Sequence, residues 1–301
     1  MTIEEILTEA VKAEASDVHI TTGTSPKMRV NGKLMTMSFP KLFPADTLAL
    51  LVTIMTQTQR EQFEERGEFD MSFEIRSLGR FRVNAYKQRG CAAMAIRLIG
   101  CGVPSPESLG IPQSVMELYR KKRGLVLVTG PTGSGKSTTL AAIIDKINTM
   151  RETHIITLED PIEYLHQHKR SIVNQREIGV DTGSYASALR ATLREDPDVI
   201  YVGELRDAET IRVAVAAAEA GHLVLSALHT QGALNAVERM IDAFPLQNQP
   251  QMRIRIANVL EAVVSQELLQ DETEEKRTAA FEVLHVTEEV RKACISGGIP
   301  I

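Results

Sequence analysis

Apolar and polar residues follow two different patterns along this chain, and the pattern changes near residue 110. In the first part, helical spacing occurs at 3–15, 45–55 and 57–66. Between these segments, short runs alternate with a period of two, as strands with one buried face do, at 17–22, 27–30, 33–37, 68–75, 79–88 and 92–99. The pattern predicts an α/β domain over residues 1–99, with an antiparallel sheet flanked by helices.

The second pattern follows residues 100–113, whose sequence GCGVPSPESLGIPQ is dense in proline, glycine and serine and predicts a linker. Buried strands are then predicted at 125–129, 154–158, 171–175, 199–202 and 223–228. Helices are predicted between them, ending near 150 and covering 185–195 and 208–220. Apolar strands that alternate with helices are typical of a mostly parallel sheet covered on both faces, which we expect over residues 114–301.

The bulk composition narrows the classes of function. The 301 residues carry a formal net charge of −5, so no global attraction to nucleic acid is expected. The acidic, amphipathic first segment is unlike a signal peptide, and no apolar run reaches the roughly 18 residues of a membrane span, so a cytoplasmic chain without membrane insertion is expected. Three scattered cysteines, Cys91, Cys101 and Cys294, have the spacing of neither a disulfide framework nor a zinc site.

The strongest chemical signal is GPTGSGKS, which fits G-x-x-x-x-G-K-[ST] directly after a predicted strand and before a helix. Its glycines let backbone N–H groups surround a phosphate, and Lys136 reaches the β and γ phosphates of ATP. Ser137 is the expected magnesium ligand. The predicted ATP-binding residues here are Gly130, Pro131, Thr132, Gly133, Ser134, Gly135, Lys136, Ser137 and Thr138.

Three later segments end predicted strands in groups that suit phosphate chemistry. The first strand ends in EDPIE, where Glu163 is one of three carboxylates able to polarise an attacking water. Glu204 ends the apolar run VIYVG and fits an acid held beside magnesium, although an aspartate is more usual there. His229 ends the predicted strand in GHLVLSALHT and is a candidate sensor of the γ-phosphate. Each signal is weak alone, and the upstream phosphate loop gives it weight.

Arginines occur in two groups that complete a phosphate site in many P-loop motors, although solvated charge is their ordinary role. Arg82 and Arg97 belong to the first domain, and Arg190 and Arg194 follow one another on the predicted helix 185–195. The sequence leaves open which of them acts, and whether it acts within its own subunit.

In this order and spacing, the segments resemble the ATPases of type IV pili and type II secretion. The resemblance rests on the phosphate loop, the EDPIE segment, LREDPD leading into GELRD, and a histidine segment ending in LHT. SDVHI, PKMRVNGKL and GRFRVNAYKQRG are similar to the PAS-like N-terminal domain of the pilus-retraction members. The resemblance spans nearly the whole chain and implies a PAS-like domain followed by a RecA-like ATPase domain.

The family resemblance implies a homo-hexameric ring that binds ATP and magnesium and works by domain closure on ATP. It implies an inner-membrane pilus platform protein as partner, at the inner face of the membrane. By position, Glu163 resembles the catalytic glutamate, Glu204 the Walker B acid and His229 the histidine-box residue. Lys136 is the phosphate-loop lysine, and Arg82 and Arg97 resemble nucleotide-facing arginines of the first domain.

The absence of a longer N-terminal region and of a CxxC zinc module favours retraction over assembly or secretion, which stay as alternatives. The sequence departs from the retraction pattern at 289–294, EVRKAC in place of an AIRNL-type segment, and in the Gln231-Gly232 that follows LHT. The acidic run 271–275 predicts a solvated loop. A P-loop kinase, a nucleic-acid translocase and a ring subunit that hydrolyses little are the remaining hypotheses.

Overall fold

The computed structural model describes residues 1–75, 77–99, 102–270 and 277–296, and the chain divides into two compact units, Met1–Cys101 and Gly102–Ile301. The acidic run 271–275, which is predicted to form a solvated loop, lies outside the described residues. No helix in the described ranges combines the length and apolar character that a membrane crossing requires. Each unit has its own hydrophobic core.

The first unit is an antiparallel sheet with three helices. Its elements are α1 (Ile3–Lys12), β1 (Asp17–Ile20), β2 (Lys27–Val30), β3 (Lys33–Thr36), α2 (Pro44–Ile54), α3 (Gln57–Arg66), β4 (Glu68–Ile75), β5 (Gly79–Gln88) and β6 (Cys91–Ile99). The strand order is β3-β2-β1-β6-β5-β4. Helix α1 begins at a capping box in which Thr2 and Glu5 each accept a hydrogen bond from the other's backbone N–H, and it ends at Lys12, three residues before the predicted end.

Strand β5 explains how this sheet separates its two faces. Phe81, Val83 and Ala85 are buried, whereas Arg82 and Asn84 between them are exposed. Because successive side chains in a strand point to opposite faces, the apolar residues enter the core and the polar ones line the other surface. The alternation in the sequence therefore predicted a strand with one buried face, and the structure has such a strand.

The second unit is built around a seven-stranded sheet. Its elements are α4 (Gln113–Met116), β7 (Gly124–Thr129), α5 (Lys136–Met150), β8 (His154–Glu159), β9 (Ile172–Glu177), α6 (Tyr185–Thr192), β10 (Val199–Glu204), α7 (Ala208–Glu219), β11 (Leu223–Leu228), α8 (Ala233–Asp242), α9 (Gln249–Val259), β12 (Leu260–Gln270), β13 (Arg277–His285) and α10 (Glu288–Ser296). The strand order is β13-β12-β7-β11-β10-β8-β9, and only the β12–β13 pair is antiparallel among these strands.

Burial confirms that this sheet is covered on both faces. Every residue of β7 and of β11 is buried, which the continuous apolar runs predicted. One core cluster packs strand side chains against α6 to α9, and another packs them against α4 and α5. The predicted α/β class with a mostly parallel second sheet is therefore confirmed.

The structure differs from the predicted elements in several places. Within the predicted linker 100–113, Ile111 is buried in the core of the second unit, and Val103 and Leu109 pack on the edge of that core. Helix α6 ends at Thr192, earlier than predicted, and Asp196 beyond it adopts a left-handed φ of 55°. The hairpin of β12 and β13 had no assigned pattern in the sequence, because its strands mix apolar and polar residues without a strict period.

Replacing Leu225 in β11 by alanine tests the buried sheet. Leu225 has no exposed surface, so Leu225→Ala is expected to destabilise the fold by about 2–5 kcal/mol in urea unfolding followed by circular dichroism. Ile172→Thr on β9 is the control, because Ile172 is 58% exposed and threonine keeps the β-branch, so a change within about 0.5 kcal/mol is expected. Equal effects of the two substitutions would contradict the buried position of β11.

Candidate functional site

The loop between β7 and α5 has a backbone conformation that favours glycine at three points. A Cβ at Gly130 would lie 2.1 Å from the carbonyl oxygen of Gln266, and Gly130 has a φ of 150°. Gly133 has a φ of 80° with open space around it, and Gly135 has a φ of 89°. The loop therefore curls tightly in front of the 15-residue helix α5, whose N-terminus supplies free N–H groups and partial positive charge.

A buried polar atom supports the assignment of this loop to phosphate. The hydroxyl oxygen of Ser134 is buried and has no hydrogen-bond partner among the described residues. Buried polar atoms are normally paired, and an unpaired one calls for a ligand or water. Together with the free N–H groups of α5, this hydroxyl fits an anionic ligand, so the residues of the loop are suited to a nucleotide phosphate.

Gln266, which the sequence analysis missed, holds the loop from strand β12. Its side-chain amide donates to the Ser134 carbonyl oxygen at 2.8 Å, and its oxygen accepts from the Thr139 hydroxyl at 2.7 Å. Gln266 is 3% exposed. No local motif could have revealed it, because its partners are more than 120 residues away in sequence.

Lys136, at the first position of α5, lies across the phosphate loop. Its ammonium donates to the carbonyl oxygens of Gly130 and Pro131, both at 2.9 Å, and its side chain is nearly buried. Burial lowers the pKa of Lys136 below its ordinary value, while the negative charges of Glu204 and Glu163 act in the opposite direction. The ammonium group of Lys136 therefore lies within the phosphate loop, where it can pair with a bound anion.

His229 connects Lys136 to Glu204. Its Nδ1 is 3.3 Å from the Lys136 Nζ and 3.4 Å from the Thr132 hydroxyl, and its Nε2 is 3.4 Å from a Glu204 carboxylate oxygen. When Nδ1 carries the lone pair, it accepts from the Lys136 ammonium, and the Nε2 side of the ring faces the Glu204 carboxylate. The predicted lysine, histidine and Walker B acid thus form one connected group.

The position of this group follows from the parallel register of the sheet. Glu204 ends β10 and His229 follows β11, and the carboxyl ends of these strands lie at the same edge as the end of β7. The Thr230 backbone N–H donates to the Thr129 hydroxyl at 3.2 Å, which ties the histidine segment to the end of β7. Parallel strands therefore bring together three segments that are far apart in sequence.

Glu204 has a second partner that the sequence analysis left unassigned. The Arg206 Nε donates to the Glu204 Oε2 at 2.7 Å, and this contact raises the pKa of Arg206. Arg206 is 65% exposed in its side chain, whereas Glu204 is 18% exposed. Arg206 is part of the GELRD segment, but the spacing of an arginine two residues after an acid does not predict that the two side chains form a hydrogen bond.

Glu163 lies in the loop after β8 and is exposed. Its backbone N–H faces the buried carboxylate of Glu159 at 3.4 Å, and Glu159 also accepts from the Thr157 hydroxyl at 2.7 Å. Burial raises the pKa of Glu159 above its ordinary value, although its hydrogen bonds act in the opposite direction. The Thr138 hydroxyl and the Tyr164 phenol, 2.9 Å apart, link this loop to helix α5.

The four candidate arginines lie in two separate environments. Arg82 and Arg97 are exposed cross-strand neighbours on β5 and β6, and the Arg97 Nε donates to Asp17 at 3.0 Å. Arg190 pairs with Glu209 at 2.8 Å, and Arg194 donates to the Arg190 carbonyl at 3.2 Å. Arg190 thus contacts a side chain on α7, and Arg194 contacts the backbone of α6. The functional roles of all four arginines stay predictions.

Comparison with known proteins adds an independent line of observation. The sequence matches the family described as type II/IV secretion system protein over residues 1–297. It is 45% identical to the type IV pilus retractation ATPase PilT of Pseudomonas aeruginosa, over 97% of this chain and 84% of that protein. It is 44% identical to a twitching motility protein of Neisseria gonorrhoeae, over 89% of this chain and 71% of that protein.

A solved structure is similar over almost the whole chain. It is a crystal structure of the pilus retraction motor PilT with bound ADP, with a TM-score of 0.94 and 48% identity. The match covers 99% of this chain and 87% of that one. The similarity therefore includes both compact units and not the phosphate loop alone.

Gln266→Leu tests the support beneath the phosphate loop. Leucine cannot donate to the Ser134 carbonyl or accept from Thr139, and the loss of these bonds is expected to weaken ADP binding about 5- to 30-fold, measured by calorimetry. Gln231→Leu serves as the matched control, since Gln231 is exposed. Unchanged ADP affinity in Gln266→Leu would show that the loop keeps its shape without this side chain.

The buried carboxyl of Glu159 predicts a pH dependence of stability. Because its pKa is raised on folding, the folded state binds a proton more tightly than the unfolded state, so stability is lost as pH rises above 4.5. Relative to wild type, Glu159→Gln is expected to gain free energy of unfolding as the pH rises above 4.5. Denaturant unfolding at several pH values measures this.

Glu219→Gln is the control of opposite sign. The Arg255 guanidinium lowers the pKa of Glu219, so the wild-type carboxylate contributes stability that is fully present above pH 4.5 and is lost as the pH falls below it. The deficit of the glutamine variant relative to wild type is therefore expected to stay constant above pH 4.5 and to shrink below it. Parallel pH profiles for the two variants would refute the burial argument for Glu159.

Proposed function

The chain belongs to the type II/IV secretion system protein family, and from this premise we propose that it is an ATP-hydrolysing motor subunit that drives type IV pilus retraction. The observation that carries the proposal is the connected group of Lys136, His229 and Glu204 beside the phosphate loop. The names of the similar pilus proteins support retraction as the task of the motor. The reaction is ATP and water to ADP and phosphate.

ATP is bound through the residues of the phosphate loop. Backbone N–H groups of the loop and of the first turn of α5 take the phosphate oxygens, and Ser134 offers its unpaired hydroxyl. Lys136 leaves the carbonyl oxygens of Gly130 and Pro131 and turns to the β and γ phosphates. Ser137 and Glu204 suit magnesium, which would neutralise charge on the phosphate oxygens.

Hydrolysis requires a water in line with the bond to the leaving ADP. Glu163, on the loop beside the site, orients this water and accepts its proton as the new bond to the γ-phosphorus forms and the bond to the β-phosphate oxygen breaks. His229 contacts both Lys136 and Glu204, so a change at the phosphate alters its hydrogen bonds and is passed to the segment after β11.

The assembly and the partners are part of the same proposal. A homo-hexamer is inferred from the family resemblance, with Arg82 and Arg97 as nucleotide-facing arginines and Arg190 and Arg194 as candidate sensors. Domain closure on ATP delivers the work to an inner-membrane pilus platform protein at the inner face of the cell membrane. A motor for pilus assembly or type II secretion is the second candidate, because the same family contains secretion proteins.

Two substitutions test the hydrolytic site. Lys136→Ala removes the phosphate-binding cation, and Glu163→Gln removes the proton acceptor while keeping the side-chain shape, so each is expected to lower the ATP turnover at least about 100-fold. Glu163→Gln should still bind ADP with wild-type affinity. The control is Ile172→Thr, which leaves the site intact. Turnover in either variant at the wild-type rate would refute the assigned chemistry.

Deleting the gene in its host tests the direction of the motor. If retraction is the task, pili that are assembled are no longer withdrawn, and electron microscopy is expected to show more surface pili per cell. Complementation with wild type should restore the original number, whereas complementation with Lys136→Ala should not. Loss of pili would assign assembly, and an unchanged number would point to secretion.

A further inference from the structure

The loop that carries Glu163 needs support that its own backbone does not provide. Between Glu159 at the end of β8 and Ile172 at the start of β9, the chain forms neither helix nor strand. Glu163 is exposed within this segment, so the position of its carboxylate depends on how the backbone of the loop is held. A displacement of about 1 Å can cost roughly 100-fold in rate, and the support of this loop therefore matters for catalysis.

Gln175 on β9 makes three hydrogen bonds that converge on this loop. Its Nε2 donates to the Tyr164 carbonyl oxygen at 2.8 Å, and its Oε1 accepts from the His166 backbone N–H at 2.8 Å. The Nε2 also donates to a Glu159 carboxylate oxygen at 3.1 Å. Only this orientation of the amide suits all three partners, because a flipped amide would place its oxygen against two acceptors.

These bonds hold the chain on both sides of Glu163. On one side, Glu159 accepts from Gln175 and also faces the Glu163 backbone N–H. On the other side, the Gln175 amide donates to the carbonyl oxygen of Tyr164, the residue directly after Glu163. The Ile162 backbone N–H also donates to a Glu177 carboxylate oxygen at 3.1 Å, so Glu177 holds the residue before Glu163 while Gln175 holds the residue after it.

Other contacts support different parts of the loop and do not replace Gln175. The Asn148 side chain donates to the Gln167 carbonyl at 2.7 Å and accepts from the Lys169 backbone N–H at 3.1 Å. Both bonds lie beyond His166, toward β9. The phenol of Tyr164 reaches Thr138 on α5, but it is a side-chain contact that leaves the direction of the backbone free.

We propose that Gln175 is a positioning residue for ATP hydrolysis, which fixes the backbone around Glu163 through Tyr164, His166 and Glu159. The inference rests on the proposed function, because it takes Glu163 as the proton acceptor. It assigns a role to a side chain on β9 that no chemical motif in the sequence identified. Gln175 acts through Glu163 and touches no reacting atom.

The test replaces the amide by a side chain of similar length that forms no hydrogen bonds. Gln175→Met is expected to lower the turnover number for ATP about 10- to 100-fold, with the KM for ATP and the affinity for ADP within twofold of wild type. Asn174→Leu is the matched control, because Asn174 is the preceding residue, bonds His154 on β8 and is expected to leave turnover unchanged. Thermal melting of each variant checks that it is folded.

The decisive measurement combines the substitution with Glu163→Gln. If Gln175 acts through Glu163, Gln175→Met lowers the residual single-turnover rate of Glu163→Gln by less than twofold. A fall of equal size in both backgrounds overturns the inference, and so does wild-type turnover in Gln175→Met. Should Gln175→Met fail to fold, Gln175→Glu provides the second variant, since its carboxylate cannot donate to Tyr164 or Glu159.

The same set separates the inference from the proposed function. When Glu163→Gln abolishes turnover but Gln175→Met does not, only the positioning role of Gln175 is refuted. When Glu163→Gln turns over ATP like wild type, the catalytic assignment fails, and the role of Gln175 fails with it.

Discussion

The arrangement of this site depends on one constraint, the alignment of parallel strands in the second unit. Strands β7, β11 and β10 are paired in parallel, so the residues that follow them emerge at one edge. The phosphate loop, His229 and Glu204 are neighbours for this reason, although nearly a hundred residues separate the first from the second. The buried side chains of β7 and β11 maintain that alignment, which makes the hydrophobic core a condition of the chemistry.

Around this edge, opposite charges and paired polar groups offset the cost of burial. Lys136 is nearly buried but lies close to His229 and to the negative charges of Glu204 and Glu163. The carboxylate of Glu159 is also buried, and it accepts from Thr157 and Gln175. Removing one partner from such a group leaves the other buried without the interaction that offset its desolvation cost. The polar network and the apolar sheet are therefore interdependent.

Sequence reasoning identified the α/β class, the apolar strands and the groups at their ends, because hydrophobic periodicity reports burial and the loop glycines report backbone conformation. It could not identify Gln266 or Gln175. An amide in a strand has no characteristic spacing, and its partners are set by tertiary folding. Residues 100–113 were predicted to form a linker because they are rich in Pro and Gly. These residues indicate the local backbone conformation, and they do not indicate that Ile111 is buried in the core.

The two carbonyl partners of Lys136 have a further consequence for the choice of ligand. Its ammonium is held by the carbonyl oxygens of Gly130 and Pro131, so the cation of the loop already has partners within the chain. An incoming ligand must replace two hydrogen bonds before it gains its own contacts. A small anion such as chloride offers too few acceptors for that exchange, whereas a polyphosphate offers many. Selection among anions therefore begins at Lys136, before any part of a base or sugar is contacted.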